Sequence, residues 1–340
     1  MRRFFSSLVL IMMPFAAMAF EIEDRLELGP ENAGPSLRIV STTDVSQFEP
    51  VIRAFLAKHP DLSVEYIVTS TTELMAAIAE EGAEFDVAIS SAMDLQTKLA
   101  NDKLTLTHIS PATSALPDWA RWRDDVFAFT QEPAAFVVSR TAFDGLQLPK
   151  TRDELIALLR NNPERFRGRI GTYDLRHSGL GYLFATQDSR TSEIYWRLTE
   201  VMGALDTKLY RSSSAMIDDV ANGKLAVAYN VLGSYAASRR DDEAIMVLFP
   251  SDFTTVMMRT VLIPVTAVQR DQAKRFVDFL LQLAWADKGD LPALESLFVD
   301  LVQVQDSIRR IPLGPGLLIF LDKYKKRRFL SAWENSILQK

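Results

Sequence analysis

One run of the chain limits the fold more than any other. Residues 37–91 alternate strand, helix, strand, helix, strand, with a polar turn after each strand. Leu37-Arg38-Ile39-Val40 is a short apolar strand that runs into Ser41-Thr42-Thr43-Asp44. Val64 to Val68 is a second, followed by Thr69-Ser70-Thr71-Thr72, and Phe85-Asp86-Val87-Ala88-Ile89 is a third, followed by Ser90-Ser91. Between the first two, Phe48, Val51, Ile52, Phe55 and Leu56 repeat at helical spacing. Ser46-x-x-Glu49 has the form of a capping box, and His59-Pro60-Asp61 stops the helix. Leu74, Met75 and Ile78 mark the second helix. A βαβαβ unit of this kind requires parallel strands joined by right-handed crossovers. Its hydroxyl-rich turns then lie along the C-terminal strand edge, where open α/β sheets bind ligands.

The pattern changes near residue 126. Val126 to Thr130 and Ala134 to Val138 are extended segments joined by Gln131-Glu132-Pro133, which take the chain into a second lobe. There, Arg169 to Thr172 reads as a strand ending in Tyr173-Asp174-Leu175-Arg176-His177-Ser178-Gly179, and Arg211-Ser212-Ser213-Ser214 precedes a helix stopped by Gly223. Leu225 to Tyr229 is a strand ending at Asn230, with Tyr235 just beyond. Ile245 to Phe249 and Thr255 to Ile263 return the chain to the first lobe. The expected domains are lobe 1 over 37–130 plus 250–286, lobe 2 over 131–249, and a helical C-terminal extension over 287–340. An interrupted lobe, an inserted lobe and two crossing strands make a cleft with a hinge.

Arg2 and Arg3, an apolar core from Leu8 to Met13 and Ala17-Met18-Ala19 have the form of a secretory signal cleaved after Ala19, which places the protein in a periplasm. Without residues 1–19 the basic residues fall from 38 to 36 against 44 acidic ones, a net charge of −8. That argues against a nucleic-acid partner, which favours a basic surface. The chain has no cysteine, so thiol chemistry, thiolate metal sites and lipidation of an N-terminal Cys are excluded, and packing alone must hold the fold. No nucleophile elbow, HExxH or P-loop is present, and the reading is of a monomeric binding protein with neither catalytic residues nor a cofactor.

Two walls of candidate residues follow. The first holds Ser41, Thr42, Thr43, Asp44, Thr69, Ser70, Ser90 and Ser91; the second holds Tyr173, Arg176, His177, Ser178, Arg211, Ser212, Ser213, Asn230 and Tyr235. Hydroxyls and free amides at helix starts form anion sites, and arginine offers a planar fork to carboxylate or phosphate. Ser and Thr also cap helices with no ligand involved, and a surface arginine can instead pair with a nearby carboxylate. Tyr229 and Tyr235 are five residues apart rather than adjacent, and His59, His108 and His177 are scattered, so no metal ligands are assigned.

The set Ser41-Thr42-Thr43-Asp44, Phe48-Glu49-Pro50-Val51-Ile52-Arg53-Ala54-Phe55, Phe85-Asp86-Val87-Ala88-Ile89-Ser90, Ala134-Ala135-Phe136-Val137-Val138 and Gly223-Lys224-Leu225-Ala226-Val227-Ala228-Tyr229-Asn230 resembles type II periplasmic solute-binding proteins of ABC transporters. It is nearest the branch of ferric-ion and phosphorylated-metabolite binders. The resemblance implies an α/β fold of two lobes, each a mostly parallel sheet flanked by helices, joined by two crossing strands and closing over a solute. With the Arg and hydroxyl loops, a small anionic solute and an inner-membrane ABC permease become the expected partners. Ferric iron is the alternative cargo. Gly314-Pro315-Gly316-Leu317-Leu318 resembles binding proteins that serve a membrane sensor kinase, which is the alternative destination.

Overall fold

The computed structural model describes residues 20–30, 34–239, 242–285, 301 and 305–339. The signal segment and residues 287–300 and 302–304 of the C-terminal extension lie outside them. Two mixed sheets, each flanked by helices, form two lobes. The first lobe contains β1 (Asp24–Leu28), β2 (Leu37–Ser41), α1 (Val45–Lys58), β3 (Val64–Val68), α2 (Thr71–Ala79), β4 (Val87–Ser90), α3 (Met93–Asn101), α4 (Pro111–Ser114), β5 (Arg121–Trp122) and β6 (Val126–Ala128). The chain then enters the second lobe through β7 (Glu132–Ser139), α5 (Arg152–Asn161), α6 (Pro163–Phe166), β8 (Ile170–Tyr173), α7 (Gly179–Thr191), α8 (Ile194–Ala204) and β9 (Lys208–Tyr210). That lobe continues through α9 (Ser213–Ala221), β10 (Val227–Leu232), α10 (Gly233–Ala237), β11 (Ile245–Leu248) and β12 (Thr254–Met257). β13 (Thr260–Leu262) and α11 (Arg270–Trp285) complete the first lobe. β14 (Ile308–Arg310) and α12 (Lys323–Leu338) form the C-terminal part.

The first sheet has the order β1-β3-β2-β4-β13-β6-β5. The expected parallel character holds for its centre, β3-β2-β4, while the strands on both sides pair antiparallel. In the second sheet, β10, β8 and β9 run parallel, and β7 pairs antiparallel with β10, β11 and β12. The return to the first lobe comes later than the sequence implied. β11 and β12 both stay in the second sheet, and the chain crosses only between Met257 and Thr260. Residues 24–28, ahead of the first strand of the βαβαβ run, form an edge strand registered antiparallel on β3.

Helix α1 begins two residues earlier than a capping box at Ser46 predicts, with Asp44 at the cap position, and Glu49 accepts from Arg53 within the helix at 2.7 Å instead of reaching back. Its apolar stripe of Phe48, Val51, Ile52 and Phe55 is buried. Phe48 stacks on Tyr66 with ring centres 5.2 Å apart, and Phe55 meets Phe276 of α11 edge-on at 5.0 Å. Each such side chain stabilises the lobe by about 1.5–3 kcal/mol through burial. The first lobe is thus closed by a helix from beyond the inserted lobe, and the two crossings stay side by side.

The C-terminal part touches both lobes. β14 extends the second sheet beside β12, and the Leu313 amide donates to the Trp119 carbonyl of the first lobe at 2.9 Å. In the second lobe, the Tyr182 hydroxyl donates to the Phe320 carbonyl at 2.6 Å. α12 buries Phe329, Trp333 and Ile337, and leaves Lys325, Arg327 and Arg328 exposed. The basic run is therefore one face of a packed amphipathic helix. No helix among the described residues is long and apolar enough to cross a membrane.

Candidate functional site

The C-terminal ends of β2 and β4 lie side by side, because Ser41 and Ile89 are register partners. Their turns are tied by hydroxyls. Thr42 Oγ1 accepts the Ser91 amide at 3.2 Å and lies 3.4 Å from Ser91 Oγ. Ser41 Oγ accepts the Thr43 amide at 3.1 Å, and Ser90 Oγ accepts the Ala92 amide at the same distance. Asp44 stands at the cap position of α1, yet its carboxylate makes no capping bond. Burial raises its carboxyl above the ordinary range, with Tyr235, Arg259 and Ser214 acting in the opposite direction. Its backbone amide donates to the Tyr235 hydroxyl at 3.3 Å.

The opposite wall is set by β8, β10 and the starts of α7 and α9. The Tyr173 hydroxyl and Ser213 Oγ share a hydrogen bond of 2.5 Å, and Ser213 Oγ also accepts the Leu232 amide at 3.0 Å. Both side chains are buried. Ser178 caps α7, and Ser212 caps α9. Where α7 begins, the Gly179 amide donates to Thr71 Oγ1 of the first lobe at 2.8 Å. A Cβ on Gly179 would lie 2.7 Å from that oxygen, so only glycine permits the approach.

The hinge holds the strongest charge contact at the seam, between residues the sequence reading did not select. Arg259, between β12 and β13, and Glu132, at the start of β7, are both fully buried. Arg259 Nε lies 2.9 Å from Glu132 Oε1, and its Nη2 lies 3.1 Å from Oε2. Arg259 also bonds Thr43 of the first lobe, and Glu132 accepts from Ser234 of the second. One ion pair therefore joins both crossings to both walls. Burial opposes the arginine's charge, while Glu132 and the nearby tyrosines favour it strongly enough to hold the guanidinium above its ordinary range. The available signal was a lone arginine in the apolar run from Val256 to Ile263.

A second buried network supports the far wall from below. Asp188 of α7 accepts from Thr255 Oγ1 at 2.6 Å, Asn230 Nδ2 at 2.7 Å and the Tyr229 hydroxyl at 3.1 Å, and Arg152 lies 3.7 Å away. Asn230 has φ +60° where the β10–β7 register shifts, a conformation that asparagine tolerates better than most residues. Asn230 is thus a support beneath the wall instead of a group on it. Tyr229 has the same position, with its hydroxyl shared by Arg152 and Asp188.

Other expected site residues are held locally. Arg176 grips Asp174 through two bonds of 2.8 and 2.7 Å, and His177 Nδ1 lies 3.1 Å from the same carboxylate. These partners hold the Asp174 carboxyl at about 2, even though partial burial acts in the other direction. Thr69 donates to the Glu21 carbonyl, and Ser70 caps α2. His108 is bonded to Asp278, and His59 packs on Phe55. Arg211 differs from Arg176. It is exposed at the start of α9, makes no hydrogen bond or ion pair among the described residues, and acts on Glu23 of the first lobe through its charge.

Residues 40–286 match the model of the bacterial extracellular solute-binding protein family. The chain belongs to that family. The substrate-binding protein of an ABC transporter from Agrobacterium tumefaciens is similar over 92% of this chain and 98% of its own, with 29% identity and a TM-score of 0.83. AfuA from Actinobacillus pleuropneumoniae, solved with fructose-6-phosphate, matches over 89% and 98% of the two chains at 17% identity and TM-score 0.71. Iron-bound HitA from Pseudomonas aeruginosa matches over 88% and 99% at 16% identity and TM-score 0.68. No curated protein matches the chain in sequence. This solute-binding protein has the two-lobed type II periplasmic fold. Its partners are a small solute and an ABC permease, and its family moves solutes instead of transforming them.

Proposed function

We propose that this solute-binding protein closes its lobes over a small anionic solute, a carboxylate or phosphorylated metabolite, in the periplasm and presents it to the permease. One observation carries the reading: helix starts from both lobes converge on the seam, with Arg211 beside them. α1 and α3 begin there from the first lobe without a side-chain cap, and α7 and α9 begin there from the second. Helix N-termini supply partial positive charge and unpaired N–H donors, and Arg211 adds a full charge not committed to any hydrogen bond among the described residues. Contacts to both walls favour the closed state, which is how a ligand shifts a hinge equilibrium.

Iron has less support. No group of three or more His, Asp or Glu side chains that could hold a metal ion occurs among the described residues, and the Tyr229 hydroxyl is consumed inside the second lobe.

A thermal-shift panel tests the proposal, because a ligand of the native state raises the melting temperature. Carboxylates or phosphate esters are expected to raise it, and neutral sugars are not. A panel in which only neutral sugars act refutes the anionic reading. Arg211→Ala is expected to weaken binding of the anion about tenfold, in line with one charge-assisted hydrogen bond. The unliganded melting temperature should stay unchanged.

A further inference from the structure

The C-terminal segment runs from one lobe to the other, and its two ends are fastened unequally. Its far end belongs to the second lobe. There α12 packs along α8, with Phe329, Trp333 and Ile337 buried. The Phe329 ring meets Tyr182 edge-on at 5.7 Å and lies 5.4 Å from Trp196. At Gly203 the two helices are so close that a Cβ would strike the Ser336 carbonyl, and Gln339 Nε2 donates to the Glu200 carbonyl at 2.7 Å. Burial of three large apolar side chains makes this end hard to release.

The near end grips the first lobe through fewer contacts. β14 pairs with β12 in the second sheet, yet the Arg310 guanidinium on that strand lies 4.4 Å over the Trp119 ring of the first lobe. Arg310 Nε also donates to Gln131 Oε1, on the crossing between β6 and β7, at 2.9 Å. Trp119 is held to its own lobe by Trp285 of α11, with ring centres 5.5 Å apart. The Ile311 amide still donates to Val256 of the second sheet, whereas the Leu313 amide donates to Trp119, both at 2.9 Å. The segment therefore changes lobes within two residues. The turn Pro315–Leu321 that follows packs against α3 of the first lobe, with Leu317 buried. The lobes also meet directly, through the Gly179–Thr71 and Asp44–Tyr235 bonds, so the segment spans a seam that is shut.

We infer that residues 305–339 are a strap across the hinge, which holds the lobes together before any solute arrives. Opening the cleft releases the strap from Trp119 and α3 while α12 stays on α8, because the first-lobe end has the smaller set of contacts. A closed form populated in advance tightens solute binding at equilibrium.

Spin-label distances test this on the full chain without solute. The protein has no cysteine, so Glu80→Cys at the end of α2 and Arg190→Cys on α7 place one label on each lobe, at exposed positions. One short separation should dominate. Adding Arg310→Ala, also an exposed position, should raise the open-to-closed ratio about fivefold, through loss of one cation–π contact and one hydrogen bond. Leu317→Ala should raise it by about tenfold or more, since it removes buried packing. In the unsubstituted protein, the Leu313 amide should exchange with solvent at least about tenfold faster than the Ile311 amide, because only the Leu313 bond crosses between lobes. Unchanged distances in both variants overturn the strap, and so does a long separation that already dominates without them. Should Leu317→Ala fail to fold, Arg310→Ala and the pair of amides still decide. Equal exchange at the two amides overturns release at the first-lobe end. No solute is added, so none of these outcomes bears on the anionic reading.

Discussion

Each lobe buries a carboxylate, and the two are treated in opposite ways. In the second lobe Asp188 is fully buried, but three donors and a nearby guanidinium surround it. In the first lobe Asp94 on α3 is 3% exposed and accepts the Leu95 amide, with no cation in ion-pair contact among the described residues. Burial pushes the Asp94 carboxyl up to about 7, with Lys326 of α12 pulling weakly the other way. A compensated charge can act as scaffold: Asp188 fixes the bend in β10 on which the far wall rests. An uncompensated one becomes a titrating group. The near wall is held by short hydroxyl contacts between adjacent strand ends, together with the bond from the buried Arg259 to Thr43.

The sharpest challenge to this contrast is Asp188→Ala. It leaves the Thr255, Asn230 and Tyr229 donors buried without their acceptor, while Arg152 keeps Asp252 at 3.0 Å. At about 1–3 kcal/mol for each buried donor left unsatisfied, the loss should reach about 3–5 kcal/mol. Urea unfolding should show that loss, with weaker solute binding because β10 no longer holds Ser213 and Tyr235 in place. A loss below about 1 kcal/mol would make the network decorative.

Asp94→Asn should do the reverse. The native carboxyl keeps its proton to about pH 7, while the unfolded chain releases it near ~3.9. Between those values the native state binds more protons, so this residue's contribution makes stability fall as pH rises. The substitution should stabilise the protein at pH 8 by up to about 4 kcal/mol and change little near pH 3.5. A melting series from pH 4 to pH 8 that falls equally in both proteins would place the pH dependence elsewhere.

The smallest effect belongs to the near wall. Thr42→Val removes the acceptor for the Ser91 amide and should cost about 1 kcal/mol. A larger loss would mean that the Thr42 contact supports more than its own turn.

Legibility in the sequence follows the same division. The hydroxyl turns after β2 and β4 were readable because their contacts lie at strand ends that the βαβαβ pattern places side by side. Arg176 was expected to face the cleft, but its partner is Asp174, two residues away. Strand-end position alone could not reveal that local grip. Asn230 was selected for the wall and lies beneath it, because a register shift in β10 turns its side chain toward Asp188. Arg259 had a visible signal in its apolar surroundings, whereas Asp188 had none within an unremarkable helical stretch.

The sequence by itself determined the two-lobed α/β plan, the family and the hydroxyl edge of one wall. Apolar periodicity, turn residues and helix caps act over a few residues, so they can be read along the chain. Only the tertiary structure decided which charges are paired at the crossing between the lobes and which make no ion pair among the described residues. Glu132 and Arg259 are 127 residues apart in the chain, and Arg152 and Asp188 belong to different helices. A charge's role depends on the partner that burial brings to it, and no local pattern encodes that partner.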